Sequence, residues 1–141
     1  MRILAVDPGQ KRIGIAISDP NGKVAFPLTV IPHRSKQEDA QNIIALAEQY
    51  HVDLILIGQA LGIEQQPTVQ SRRSANLAMA IGARTNIPIV LYDEFETTRI
   101  ALDARRKMGV TIRKRKSNLD SLAAAVLLQN YIDNQAEIKN E

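Results

Sequence analysis

The apolar positions of this chain change period partway along, and the change separates a strand-rich opening from an alternation of helices and strands. Ile3, Leu4, Ala5 and Val6 form a continuous apolar run that ends at Asp7. Such a run fits a strand buried on both faces, with the acid at its carboxyl end, where open α/β sheets place their ligands. Pro8-Gly9 suits the two central positions of a type II turn that sends the chain back. Ile13, Ile15 and Ile17 then alternate with Gly14 and Ala16, as in a strand with one large-residue face. Asn21-Gly22 is a short hairpin signal, and Val24, Phe26, Leu28 and Val30 alternate behind it as a third strand.

From about residue 37 the period becomes helical. Ile43, Leu46, Ala47 and Tyr50 recur at i, i+3, i+4 and i+7, the stripe of a helix lying on a sheet. Leu54 to Ile57 predicts a fourth strand ending at Gly58, and Ile87 to Leu91 a fifth ending at Tyr92-Asp93-Glu94. Pro67 to Arg84 between them reads as a helix. Thr97 or Thr98 can cap another that stops at Gly109 after Met108. A last, heavily buried helix should run from Ser117 to about Asn134 through Leu119, Leu122, Ala123, Val126 and Leu127. Short apolar strands separated by helix-length segments are parallel and buried on both sides. The expectation is an α/β fold: a mixed five-stranded sheet, an antiparallel three-stranded meander followed by two parallel strands, with helices on both faces. Right-handed crossovers put the first strand in the centre, beside the fourth, with the fifth outside it. With no repeat or linker-like stretch, residues 1–141 read as one domain.

This topology brings acids from distant parts of the chain to one sheet edge. Asp7 ends the first strand, Asp93 and Glu94 end the fifth, and Asp120 lies in the first turn of the last helix. Each has an ordinary structural reading, as a turn residue, a strand exit or part of the Ser117-Asn-Leu-Asp120 cap. Together they are harder to explain that way, because clustered carboxylates repel unless a cation or proton lies between them. The chain has no cysteine and only two scattered histidines, so a metal here would take oxygen ligands, as magnesium or manganese does. Two such ions about 4 Å apart can activate water and stabilise a leaving oxygen at a phosphodiester.

Charge distribution adds a partner to this picture. The net charge is only +3, yet seven of 18 cations fall between Arg105 and Lys116, a stretch with no acid. Such a block is either a solvated face or a patch of phosphate contacts. Lys11 and Arg12 lie beside Asp7 and could serve the same end. Aromatic content of 4% argues against a base-stacking platform. No apolar run approaches a membrane span and no signal peptide is evident, so a cytoplasmic protein is expected.

Three motifs carry a family resemblance. Asp7-Pro-Gly-Gln-Lys-Arg-Ile-Gly14, Tyr92-Asp-Glu94 followed by Thr97-Thr98, and Arg113-Lys-Arg-Lys116 with Asp120-Ser-Leu-Ala-Ala-Ala125 resemble the YqgF family of pre-16S rRNA nucleases, also called Holliday-junction resolvase-like proteins. The resemblance spans nearly the whole chain in order. It implies a ribonuclease H-like fold, maturation of the 5′ end of 16S rRNA, magnesium or manganese as cofactor, and a catalytic triad of Asp7, Glu94 and Asp120, with Asp93 the neighbouring alternative ligand. Two positions depart from the family pattern: Gly58-Gln59-Ala60-Leu61-Gly62 replaces a Gly-Leu-Pro stretch, and Phe95 stands where an arginine is usual. Arg99, Arg113, Lys114, Arg115 and Lys116 remain to contact phosphates. Branched DNA is the alternative substrate, a binding protein without catalysis the alternative function, and the chain is expected as a monomer or homodimer. The actin-like ATPases share an Asp-x-Gly corner but need a duplicated domain that 141 residues cannot hold.

Overall fold

In the computed structural model, the chain forms strands β1 (Ile3–Pro8), β2 (Arg12–Ser18) and β3 (Ala25–Pro32), then helix α1 (Lys36–Gln49), strand β4 (Leu54–Gln59) and helix α2 (Val69–Gly82). Strand β5 (Ile89–Asp93) and helix α3 (Lys116–Asn140) complete it. The structure describes residues 1–59, 68–93 and 116–140, with the side chains of α3 over 119–136. The helix expected after Thr97 lies outside the described residues.

The sheet has the order β3-β2-β1-β4-β5. β1 is central, antiparallel to β2 and parallel to β4, and β5 extends the parallel half. This is the mixed five-stranded arrangement that the apolar pattern predicts. Alternation along β1 assigns its two faces. Leu4 and Val6 join Ile13, Ile15, Ile55 and Ile57 under α1 and α2. Ile3 and Ala5 join Ala16, Leu54 and Leu56 under Ala124, Leu127 and Leu128 of α3. Each fully buried leucine or isoleucine contributes about 1.5–3 kcal/mol relative to exposure. Ser35 caps α1 by accepting from the Glu38 N–H, and Thr68 and Ser71 form a reciprocal capping box on α2.

One local expectation is corrected, and the β2–β3 hairpin appears where Asn21-Gly22 signals it. Pro8 and Gly9 are not the centre of a type II turn: Pro8 still pairs with Ile13, and the Gly9 N–H donates to the Arg12 carbonyl at 2.9 Å, so the chain reverses at Gln10 and Lys11. Gly9 is required for closeness, since a Cβ there would lie 2.4 Å from the Arg12 carbonyl oxygen. In the second hairpin, the Gly22 N–H donates to the Asp19 carbonyl, which centres the turn on Pro20 and Asn21, with Gly22 itself at φ 69°. Asp19 Oδ1 closes it by accepting from the Lys23 and Val24 N–H groups. On β3, Phe26 is 51% exposed, whereas Leu28 and Ile31 pack on the core. A register shift opposite Ile15 and Ala16 changes which β3 positions face inward, and β3 is a sheet edge whose outer positions have no neighbouring strand.

Candidate active site

The site is built around a residue with no side chain. Asp7 pairs across the ladder with Gly14 of β2. A Cβ on Gly14 would lie 2.0 Å from the carbonyl oxygen of Asp120, so the start of α3 rests directly on the β2 backbone. Asp7 shares the α3-facing side of β1 with Ile3 and Ala5, as period-two alternation requires. Two acids 113 positions apart in the chain are thus brought to one corner through Gly14.

Arg12 occupies the same face two residues before Gly14, and its Nε donates to Asp120 Oδ2 at 2.7 Å. The two side chains are 36% and 35% exposed, so the pair is partly screened by water. Its effect is local: a guanidinium beside one carboxylate offsets the repulsion that bringing Asp120 towards Asp7 would create. Sequence reasoning placed Arg12 among the phosphate contacts, whereas here it holds a predicted metal ligand. Lys11 stands exposed at the tip of the adjoining turn.

Asp93 is the last residue of β5 and pairs with Gln59. Val90 and Tyr92 of β5 face α3, while Ile89 faces the opposite core. Tyr92 ties the end of β5 to α3. Its hydroxyl donates to Asn130 Oδ1 at 2.6 Å and accepts from the Asn134 amide, and its ring meets Tyr131 edge-on at 5.3 Å. Burial pushes the Tyr92 phenol above its ordinary pKa; the Asn134 hydrogen bond works the other way, and the charge of Asp93 adds to the rise. Sequence reasoning missed this anchor, although Asn130 and Asn134 at i, i+4 on a buried helix are its signal.

Glu94, Arg99, Arg113, Lys114 and Arg115 lie outside the described residues, and Lys116 is the first residue of α3. Among the described residues no three His, Asp or Glu side chains group as a metal site. Asp7 and Asp120 nevertheless fit a hard divalent ion. They are oxygen donors, only partly buried, and brought together by backbone contact.

The same fold occurs in solved Holliday junction resolvases. The chain superposes on Thermus thermophilus RuvC in complex with a Holliday junction substrate with a TM-score of 0.62, at 13% identity, over 97% of this chain and 96% of that one. The fowlpox virus resolvase bound to Holliday junction DNA gives 0.58, at 13% identity, over 96% and 99%. The fold is therefore ribonuclease H-like.

Residues 1–134 match the model of the RuvX family, described as Holliday junction resolvase, and the chain belongs to that family. A Syntrophus aciditrophicus relative named "Putative pre-16S rRNA nuclease" is 37% identical over 94% of this chain and 89% of its own length. One of the same name from Clostridium acetobutylicum is 35% identical over 94% and 98%. Both names denote enzymes that cut nucleic-acid backbones, and the chain is of this nuclease class. No helix among the described residues is long and apolar enough to cross a membrane.

Proposed function

We propose that this protein is a divalent-metal-dependent endonuclease that trims the 5′ end of precursor 16S rRNA in the cytoplasm. The observation that carries this reading is the stack of Asp7, Gly14 and Asp120, which brings two oxygen ligands together at the carboxyl edge of the sheet. Asp7, Glu94 and Asp120 would hold the metal, with Asp93 the neighbouring alternative ligand. Magnesium or manganese, as two ions, would supply an activated water and stabilisation of the leaving oxygen. The chain's own residues do the rest. Arg12 orients Asp120 and balances its charge. Lys11 stands where an incoming backbone would meet the β1–β2 turn, and the 105–116 cations add the electrostatic attraction that any polynucleotide needs. The relatives' names support RNA as substrate; the likeness to resolvases bound to junction DNA keeps branched DNA as the second reading.

Cleavage of precursor rRNA, single strands and four-way junctions, with and without magnesium, separates the readings. Asp7→Asn is expected to lower the cleavage rate at least ~10³-fold, roughly 4 kcal/mol of barrier, while the fold persists. Wild-type turnover by a verified Asp7→Asn protein would sink the mechanism. A second readout needs no substrate. Manganese at 100 times its dissociation constant should stabilise the wild type by about 2.7 kcal/mol, and Asp7→Asn should lose most of that increment.

A further inference from the structure

On the other side of β1 from Asp7 lies a cleft of about 180 Å³, floored by Ile13 and Leu77 and edged by the backbone of Pro8 and Gly9. Lys36 and Arg73 line it from two different helices. Neither has an ion-pair or hydrogen-bond partner among the described residues. Lys36 is the first residue of α1, whose first turn also carries Glu38 and Asp39, and Arg73 lies just past the first turn of α2, which has no acid there. A cation at a helix start opposes the macrodipole, whereas an anion beside Lys36 is favoured by the α1 dipole and by both side chains.

The acid that lines the cleft does not cancel this charge freely. Asp39 is 2% exposed, and both its oxygens are engaged. Oδ1 accepts from the Arg34 N–H at 3.0 Å, and Oδ2 meets His33 Nδ1 at 2.5 Å. That contact fixes the His33 ring and leaves Nε2 as its remaining polar atom. The His33 N–H in turn donates to the Lys11 carbonyl at 2.9 Å, which ties the wall of the cleft to the turn beside Asp7. Asn76 adds an exposed amide at the mouth. Cations that have no protein partner among the described residues, come from separate elements and line one cleft beside the proposed cutting edge describe a receptor for one anionic group.

We propose that this cleft is a phosphate-binding subsite, in which Lys36 and Arg73 grip one phosphate of the nucleic-acid strand whose neighbouring bond is cut on the Asp7 side. The proposal rests on the nuclease reading above for the identity of the strand, though not for the cleft's affinity for phosphate. The strand then crosses the carboxyl end of β1, held on one face and cleaved on the other. The phosphate is either a terminal 5′ group or an internal diester; both present the same oxygens.

The test uses the full chain in EDTA, so that nothing is cut. Inorganic phosphate is titrated by calorimetry, and a labelled RNA of about eight nucleotides is followed by anisotropy across a salt series. For Lys36→Gln/Arg73→Gln, phosphate binding should be lost, RNA affinity should fall about tenfold or more, and the salt slope should drop by about 1.4, at about 0.7 per contact. Arg72→Gln, an exposed neighbour outside the cleft, should match the wild type. A double variant that keeps its melting temperature and binds both probes as the wild type does overturns the proposal. RNAs with and without a 5′-phosphate identify the source. A variant effect that vanishes without the terminal group assigns the cleft to it, and a persisting effect assigns it to an internal diester. A chain that binds phosphate here through Lys36 and Arg73 but cuts no substrate would leave the subsite standing and remove the nuclease reading alone.

Discussion

At strand β2 the two faces of the sheet are packed by opposite means, although both bury large residues elsewhere. Under α1 and α2 the strands present large branched residues, Ile13 and Ile15 from β2 and Ile55 and Ile57 from β4. Under α3 the same β2 strand presents Gly14 and Ala16, and the helix answers with Ala124 and Ala125. Large residues hold a helix at side-chain distance and derive stability from buried area. Small ones let backbone meet backbone, which yields less area but fixes position closely. The proposed catalytic acids lie on the small-residue face. Stability and positional accuracy are thus separated across one sheet.

This division can be broken from either side. The largest effect is expected at Gly14→Ala, whose new methyl would overlap the Asp120 carbonyl, a backbone atom that cannot rotate away. Displacing the start of α3 should cost about 3 kcal/mol or more in urea unfolding and remove cleavage even where the protein folds. Ile15→Val on the opposite face should cost about 1 kcal/mol and leave cleavage by the folded fraction unchanged. If it instead abolished activity, the two faces would not be separable in this way.

Arg12→Gln sharpens the small-residue face itself. The ion pair is about one-third exposed, so its loss should lower stability by no more than ~1 kcal/mol. Metal affinity, read from manganese-dependent melting, should still change, because the guanidinium and a divalent ion compete for Asp120. The smallest effect concerns the far hairpin. Hydrogen bonds from Val24 and Lys23 hold the Asp19 carboxyl below its ordinary pKa. Its native state therefore binds its proton less tightly than the unfolded chain. The stability this adds is present above the ordinary aspartate pKa and fades as pH falls through the lower folded value. Acid titration of the melting temperature should lose this component in Asp19→Ala while cleavage at neutral pH persists.

Most of the fold was legible because strand and helix periods are properties of short windows. β1, β4 and β5 announced themselves as apolar runs, and their order followed from crossover handedness. Asp7 and Asp120 were legible as candidates for the same reason: each ends or begins a readable element. What could not be read was set by contacts across the chain. Nothing local says that Gly14 is bare because residue 120 rests on it, although small residues at 14 and 16 between isoleucines are the trace it leaves. Asp93 and Glu94 are adjacent acids at a strand exit, and nothing in a short window separates their roles. The exposure of Phe26 could not be read, because the pairing of β3 with β2 skips Leu28 and so changes which β3 positions face inward. His33 looked isolated in sequence, yet Asp39, an acid one turn before Ile43 on the buried stripe of α1, reaches back to it.

The contact between Gly14 and Asp120 also sets a schedule. The first two strands emerge from the ribosome early, but the helix that covers Ile3, Ala5, Leu54 and Leu56 begins at residue 116. Until that helix is made, the α3 side of the sheet has no lid and Asp120 has nothing to rest on. A nascent chain therefore cannot assemble the corner piecemeal, since its two halves lie 113 positions apart in the chain. The corner proposed to cut therefore depends on α3 reaching the sheet, however early the strands themselves pair.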